Sequence, residues 1–221
     1  MAEPATEPSM WTRLTEENPQ HSTAYIQRFR DLANAGQDLV GEARLVDAML
    51  PRGARVLDAG SGTGRIGGYL ADAGHHVVGV DGDPVLVAEA RQEHPGARWL
   101  VGDLAQLDLP AAGITEPFDG IVCAGNVVTF LAPSTRREVL RRMRIHLQPH
   151  GRAAIGFGAG RGYDFDEFLT DARAAGWEPD LLLSTWDLRP FTSDADFLVA
   201  LLRPARSGRL IGRADRAGPS G

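Results

Sequence analysis

The sequence predicts an α/β fold with a doubly wound, seven-stranded sheet, mostly parallel, with helices on both faces and an antiparallel C-terminal hairpin. Two observations predict the parallel part: five short apolar segments recur along the chain, and helical patterns separate them. A third predicts the hairpin, because the last two apolar segments lie too close together for a helical crossover.

Before the first strand, apolar residues recur at helical spacing. Tyr25, Phe29 and Leu32 form one stripe, and Gly36 interrupts it. The stripe resumes at four positions: Leu39, Ala43, Val46 and Leu50. Pro51 then stops it. Two helices are therefore expected within residues 10–50, after a Pro- and Glu-rich start, residues 1–9, that is expected to be disordered.

The main domain is predicted to span residues 51–203. Strands are expected near 54–58, 76–81, 98–102, 119–124 and 152–157, with helices near 65–73, 84–92 and 135–147. Thr135 and Glu138 match a capping box for the last of these helices. Asp164 and Glu167 resemble one for the next helix, which Gly176 is expected to end.

The chain is predicted to finish with the antiparallel hairpin and a disordered tail. The hairpin strands are expected at residues 181–188 and 197–202. The tail, residues 204–221, is rich in Gly, Arg and Pro and is expected to hold no core.

The most informative motif follows the first strand. An acidic residue, Asp58, ends an apolar run, and three alternate glycines follow at Gly60, Gly62 and Gly64. Glycines allow a sharp turn and a close approach to a ligand, and the helical pattern from Arg65 places a helix N-terminus beside them. The pattern favours a loop that binds a nucleoside-bearing cofactor.

This motif resembles the first motif of the class I S-adenosylmethionine-dependent methyltransferases, and the resemblance extends over roughly residues 40 to 203. Residues 76–81 are similar to that family's second strand, 99–104 to its third, 118–126 to its fourth and 147–152 to the turn before its fifth. The resemblance implies a Rossmann-like fold, S-adenosylmethionine as cofactor, S-adenosylhomocysteine as product, and a helical lid over residues 10–50.

The resemblance also implies the cofactor-binding residues. Asp81 is expected to bind both ribose hydroxyls and Asp103 the adenine amino group. The full set is Asp58, Gly60, Ser61, Gly62, Gly64, Asp81, Gly82, Asp103, Leu104, Ala124 and Gly125. Asp58 has an alternative role, since it can also cap the turn that follows it.

Two alternatives to a methyltransferase remain at this point. Residues 62–67 also satisfy Gly-x-Gly-x-x-Gly, which with Asp81 suggests an NAD-linked oxidoreductase of Rossmann type. A carboxylate beside the loop would repel a pyrophosphate, whereas it suits the ammonium and sulfonium charges of S-adenosylmethionine, so methyl transfer is favoured. The other alternative is a non-catalytic S-adenosylmethionine-binding module.

The composition of the chain limits the classes of partner that it is expected to bind. The chain has 221 residues, of which 43% are hydrophobic, and a formal charge of −6, which disfavours binding to nucleic acid or an anionic membrane. Its one cysteine, Cys123, is expected in the core, and the absence of a 20-residue apolar run favours a cytoplasmic protein. The composition does not indicate the oligomeric state.

The acceptor is expected to be a small molecule with an oxygen, nitrogen or carbon nucleophile. Residues 126–130 read Asn-Val-Val-Thr-Phe, unlike the Asn/Asp-Pro-Pro-aromatic motif of enzymes that methylate base amines. The predicted acceptor-binding residues are Tyr25, Arg28, Phe29, Asn126, Arg161, Tyr163, Trp186 and Arg189. The aromatic residues and arginines of this set suit a planar or apolar body with a carboxylate. Tyr25 and Phe29 have an alternative role in the helix core.

Few residues could act as a catalytic base. Five histidines precede strands or lie on a helix, so they are expected at the edge of the sheet opposite the cofactor: His75, His76, His94, His146 and His150. The remaining candidates are His21, Tyr25 and Asn126. Positioning can supply most of the acceleration of an activated methyl transfer, and no metal is expected.

Overall fold

The computed structural model of the chain describes residues 7–205. Within that range one sheet contains seven strands: β1 Arg55–Ala59, β2 His76–Asp81, β3 Arg98–Val101, β4 Phe118–Cys123, β5 Leu147–Gly158, β6 Trp177–Leu183 and β7 Phe197–Pro204. Eight α-helices of the same range surround it: α1 Met10–Glu17, α2 His21–Asn34, α3 Gly41–Met49, α4 Arg65–Asp72, α5 Pro84–Glu93, α6 Val127–Phe130, α7 Arg136–Ile145 and α8 Phe165–Ala174.

The strand order across the sheet is β3-β2-β1-β4-β5-β7-β6. Strands β1 to β5 run parallel, and β7 runs antiparallel to both β5 and β6. This topology confirms the predicted fold. Because β2 and β4 lie on opposite sides of β1, the order reverses there, and a crevice opens outside the carboxyl ends of β1 and β4.

Both faces of the sheet are covered by apolar packing. Neighbouring residues of a strand point to opposite faces, so Val56 packs with α3 and α4, whereas Leu57 packs with α7 and α8. Cys123 is buried in the second of these layers, as predicted. No helix in residues 7–205 is both long enough and apolar enough to cross a membrane.

The N-terminal segment contains three helices, not the two that the sequence predicts. The helices expected from the apolar stripes are α2 and α3, and Gly36, with φ +73°, separates them. The additional helix α1 is only eight residues long, and the Ser9 side chain caps it by accepting from Thr12 N at 3.1 Å. The predicted disordered ends fall mainly on residues 1–6 and 206–221, outside the described residues.

The last strands differ from the prediction in their bounds. Strand β6 begins at Trp177 and ends at Leu183, so most of the predicted strand 181–188 belongs to the following loop. Gly176, with φ +86°, ends α8 as predicted, and the chain enters the sheet at once. The buried Trp177 ring explains this early start, because its Nε1 donates to Leu140 O at 2.9 Å.

Of the two predicted capping boxes, the first is wrong. The Thr135 hydroxyl donates to Ala132 O, and Glu138 pairs with arginines of its own helix instead of reaching back. At the second position, the Asp164 side chain does cap α8, by accepting from Asp166 N at 3.0 Å.

Trp99 of β3 occupies space left by three glycines near the carboxyl end of the sheet. A Cβ added to Gly64 or Gly67 would lie 2.9 or 2.8 Å from its ring, and one on Gly79 would overlap the ring. The Trp99 Nε1 donates to His94 O at 2.8 Å, which fixes the ring in this position. The loop after β1 is therefore supported from below by one aromatic side chain.

Candidate cofactor site

Asp58 ends β1 in a fully enclosed position, with 1% of its surface exposed. Its Oδ2 accepts from Gly67 N in the first turn of α4 at 2.9 Å. Burial raises the pKa of this carboxyl to about 7. The side chain therefore orders the start of α4, the capping role that the sequence left open beside cofactor binding.

The three alternate glycines do not share one role. Each has a positive φ, but a Cβ on Gly60 would overlap Val127, and a Cβ on Gly64 would meet Ala90 and Trp99 at 2.9 Å. At Gly60 and Gly64 the Cβ position is thus filled by side chains of the domain itself, which is a reason for glycine beside the predicted close approach of the backbone to a ligand. Among residues 7–205, only Tyr25 lies within 4 Å of a Cβ added to Gly62, with its hydroxyl at 3.9 Å, so this position faces open space.

Asp81 ends β2 beside the same loop. Its Oδ2 accepts from Gly62 N at 2.8 Å and its Oδ1 from Asp83 N at 2.9 Å. Burial raises the pKa of this carboxyl. A carboxylate offers about four acceptor positions, so the two backbone bonds leave capacity for a ligand's hydroxyl groups.

Four further predicted cofactor-binding residues lie near this edge. Asp103 is exposed, and its Oδ1 caps the short turn Leu104–Gln106 by accepting from Ala105 N at 2.8 Å. Leu104 itself is buried in the core. A Cβ on Gly82 would come no closer than 4.0 Å to Gly102 O. The buried Ser61 hydroxyl has no hydrogen-bond partner anywhere in residues 7–205.

The end of β4 closes the crevice on its other side. Ala124 is buried, whereas Gly125, with φ +73°, would have nothing within 4 Å of an added Cβ. Asn126 also has a positive φ, of 67°, and its Oδ1 accepts from Gly158 N at 2.8 Å. This bond joins the carboxyl ends of β4 and β5, so the Asn126 carbonyl oxygen has a structural role.

Aromatic side chains of the N-terminal helices gather above the loop. The Trp11 ring lies 4.8 Å from His21, 5.3 Å from Tyr25 and 5.6 Å from Phe130, between ring centroids. Tyr25 also contacts Phe29 at 4.8 Å. Burial raises the pKa of the Tyr25 phenol, which therefore keeps its proton at neutral pH. The cluster packs α1 and α2 against α6.

Arg65 and Asp83 join these helices to the site, and neither role is predicted by the sequence. Arg65, the first residue of α4, pairs with Glu42 at 3.0 Å and lies over the Phe29 ring at 5.4 Å. Asp83 accepts hydrogen bonds from Trp11 and Ser22. Asp83 precedes Pro84 at the start of a helix, which is a capping signal, but no local pattern indicates its distant partners.

Tyr163 was expected to line the acceptor pocket, and this prediction is wrong. Its side chain is 2% exposed, its hydroxyl donates to Asp171 at 3.0 Å, and Arg136 lies 4.0 Å over its ring. Burial raises the pKa of this phenol above its usual range. The ring packs on Phe157 inside the core layer of α7 and α8, away from the crevice.

The other predicted acceptor residues are accessible or line the edge of the sheet. Trp186 covers Gly156 of β5, where an added Cβ would overlap its ring. Arg189 is exposed and pairs with Asp187 at 3.4 Å. Arg161 lies against Gly158, with its Nε 3.2 Å from an added Cβ. Arg28 is exposed on α2. Neither Arg28 nor Arg161 has a hydrogen-bond or ion-pair partner in the described part of the chain.

The histidines and the acidic groups add little to this crevice. His21 lies beside Trp11 in the aromatic cluster, whereas His75 bonds Asp47 and His94 packs against Gly68, both in the loops that lead into β2 and β3. Residues 7–205 contain no group of three or more His, Cys, Asp or Glu side chains that could hold a metal ion.

Known proteins share this fold and these motifs. Residues 56–151 match the family model described as a methyltransferase domain. A TehB-like SAM-dependent methyltransferase from Corynebacterium glutamicum, known from a crystal structure, shares 51% sequence identity with this chain. The two structures match with a TM-score of 0.81 over 85% of this chain and 100% of that one. A methyltransferase of Burkholderia thailandensis that acts on 1,6-didemethyltoxoflavin, solved with S-adenosylhomocysteine, is 22% identical, with a TM-score of 0.61 over 93% of this chain and 94% of that one.

A curated relative gives a shorter match. The malonyl-[acyl-carrier protein] O-methyltransferase of Pectobacterium atrosepticum is 38% identical over 82 residues, which are 37% of this chain and 31% of that protein. The chain thus spans about a third of the length of such curated relatives. These matches do not support an NAD-linked oxidoreductase. By its match to the Corynebacterium protein, the topology of its sheet and the motifs at its edge, the chain belongs to the class I S-adenosylmethionine-dependent methyltransferases.

Proposed function

We propose that this protein transfers the sulfonium methyl group of S-adenosylmethionine to an oxygen, nitrogen or carbon nucleophile of a small molecule. One observation carries the proposal. At the carboxyl ends of β1, β2 and β4, the open side of Gly62, the Asp81 carboxylate and the exposed Gly125 backbone converge, and the unpartnered Ser61 hydroxyl lies in the same loop. The residues present therefore fit the cofactor.

In this proposal the strand ends hold the cofactor. Asp81 binds the ribose hydroxyls and Asp103 the adenine amino group, while the backbone at Gly60, Gly62 and Ala124 or Gly125 contacts the methionine half. The bound cofactor supplies a methyl group already activated by the sulfonium charge. The chain's own work is then to position the acceptor and to exclude water.

The side chains around the open space favour catalysis by positioning. The raised pKa of Tyr25 keeps its phenol protonated, so Tyr25 can donate a hydrogen bond but is a poor base. The Asn126 carbonyl oxygen already accepts from Gly158 N. The aromatic cluster of Trp11, Tyr25 and Phe130 shields the crevice from water. In this proposal methyl transfer relies on positioning, and neither Tyr25 nor Asn126 acts as a general base.

We further propose that the acceptor carries a carboxylate or a similar anionic group, bound by Arg161. In a chain of net charge −6 most arginines have acidic partners, yet Arg161 has none within residues 7–205 and lies beside the ends of β4 and β5. Arg189, in contrast, is already paired with Asp187. A guanidinium suits such a group because it can donate two parallel hydrogen bonds to a carboxylate, and neither nucleic acid nor a membrane is expected as a partner.

The test has two stages. Calorimetry should show binding of S-adenosylhomocysteine and none of NAD, and radiolabelled methyl transfer to a panel of anionic and neutral small molecules should then identify turnover. For an anionic acceptor, Arg161→Gln should raise KM about 10- to 100-fold, the equivalent of a lost charged hydrogen bond of roughly 1.5–3 kcal/mol.

Arg173→Gln is the matched control, because Arg173 is also exposed and without a partner in the described residues but lies on α8. An equal KM for the Arg161 variant and the wild type would remove Arg161 from the acceptor site. Cofactor binding with no turnover of any acceptor would favour a non-catalytic binding module.

A further inference from the structure

Asp83 is a buried carboxylate at the start of α5, with 5% of its surface exposed. Its Oδ1 caps the helix by accepting from Val85 N at 2.8 Å and from Leu86 N at 3.4 Å. Its Oδ2 accepts from Trp11 Nε1 at 2.8 Å and from Ser22 Oγ at 2.5 Å. One oxygen atom therefore serves the helix, and the other holds two distant residues of the N-terminal segment.

Trp11 and Ser22 belong to different helices, α1 and α2, and converge on this single oxygen. Outside this point, Arg30 of α2 forms ion pairs with Glu89 at 2.6 Å and with Glu93 at 3.6 Å on α5, and because the Arg30 side chain is half exposed these pairs are of small energetic weight. A buried carboxylate that loses its donors is costly. The contact at Asp83 is therefore the polar attachment that most strongly favours the docked position of α1 and α2.

The same residue is bonded to the predicted ribose-binding carboxylate. Asp83 N donates to Asp81 Oδ1, and Asp81 Oδ2 accepts from Gly62 N. Hydrogen bonds thus run without a break from Trp11 and Ser22 through Asp83 and Asp81 to Gly62. Helix α2 also carries Tyr25, whose hydroxyl faces Gly62. One hydrogen-bond network therefore positions both the loop at Gly62 and the helix that carries Tyr25, which together border the open space.

We propose that Asp83 is a positioning residue that couples the docking of the N-terminal helices to the orientation of Asp81, and hence to cofactor binding; the coupling rests on the proposed cofactor site. Docked helices hold Asp83, and Asp83 in turn holds Asp81 in the orientation that a ribose requires. Because coupling between two equilibria is reciprocal, cofactor binding should also stabilise the docked helices.

The geometry allows this role to be separated from helix capping. Trp11→Phe with Ser22→Ala removes both donors to Oδ2, keeps an aromatic ring in the cluster and leaves the α5 cap intact. Asp83→Asn is a second route, because its carbonyl oxygen can still cap the helix while its amide group cannot accept from Trp11. Trp177→Phe is the matched control, since it removes a buried indole hydrogen bond to Leu140 O in the opposite core layer.

Two measurements test the proposal. In ligand-free protein, hydrogen exchange of residues 10–34 should become about tenfold faster in the double variant and in Asp83→Asn, with strands β1 to β5 unchanged. Calorimetry should show S-adenosylhomocysteine binding weakened about tenfold in the same variants. Trp177→Phe should lower the melting temperature without either effect.

Unchanged exchange in residues 10–34 would overturn the attachment. Faster exchange with an unchanged dissociation constant would overturn the coupling, as would an equal loss of affinity in Trp177→Phe. If the wild type bound no S-adenosylhomocysteine, the proposed function would fall and the coupling with it, while the ligand-free exchange data would still report on the attachment.

Discussion

Replacement of Asp58 by Asn should change how the stability of the protein depends on pH. The Asp58 carboxyl is fully enclosed, and burial raises its pKa from 3.8 to about 7. An Asn is neutral at every pH and has nearly the same shape, and its Oδ1 can still accept from Gly67 N. The substitution therefore removes the titration while keeping the hydrogen bond that orders α4.

The direction of the pH effect depends on whether the folded or the unfolded state holds the Asp58 proton. Between about pH 4 and pH 7 the folded protein keeps the Asp58 proton that the unfolded chain has released, so the free energy of unfolding falls as the pH rises. The difference between 3.8 and about 7 corresponds to about 4 kcal/mol over the whole window, of which about 3 kcal/mol falls between about pH 5 and pH 8. Above the folded pKa this contribution is gone.

Urea unfolding of both proteins at several pH values across that window provides the measurement. The wild type should lose about 3 kcal/mol relative to Asp58→Asn between about pH 5 and pH 8. Distant titrating groups, such as Glu138, are common to both proteins and cancel in the difference. Parallel stability curves would mean that Asp58 is ionised throughout, and that the Gly67 N–H and the helix start outweigh the effect of burial.

Two further substitutions test the cofactor site. Asp81→Ala should weaken S-adenosylhomocysteine binding by about 2–4 kcal/mol in calorimetry, because the ribose hydroxyls lose a charged acceptor, and an unchanged dissociation constant would remove Asp81 from the site. Gly62→Ala should weaken S-adenosylhomocysteine binding because its Cβ enters the space below Tyr25. The control is Gly53→Ala, at a similar φ of +69° and with no described atom within 4 Å of an added Cβ. Both substitutions should lower the free energy of unfolding by about 1–2 kcal/mol, but Gly53→Ala should leave the affinity unchanged. Equal affinities for the two glycine variants would contradict the assignment of that space to the ligand.

The fold could be predicted because the patterns that determine it are local. Apolar runs such as residues 54–58 and 119–124 coincide with β1 and β4 to within one residue, and the close spacing of the last two strands alone requires their antiparallel pairing. The bounds of β6 were missed because Glu178, Pro179 and Asp180 interrupt the apolar pattern in its first half, although Glu178 and Pro179 pair with β7.

The contacts that link distant residues could not be predicted from such patterns. Tyr163 follows a Gly-rich stretch typical of an exposed loop, but the buried Arg136 above its ring and Asp171 at its hydroxyl place it in the core. Asp83 shows only a helix-capping signal, although its second oxygen holds α1 and α2. In each case the residues that determine the position of the side chain lie far away in the sequence or on another element.

The glycines of the first motif do not all serve the same physical purpose. Gly60 and Gly64 have no Cβ because Val127, Ala90 and Trp99 occupy the space where it would lie, so a side chain there would disturb the packing of the domain. Gly62 and Gly125 have open space instead, and both face the crevice outside β1 and β4. A pattern of glycines thus combines positions required by the scaffold with positions available to a ligand, and only the three-dimensional neighbours tell them apart. It follows that substitutions at Gly60 and Gly64 report on folding, and that Gly62 and Gly125 are the positions at which a loss of affinity can be attributed to the cofactor.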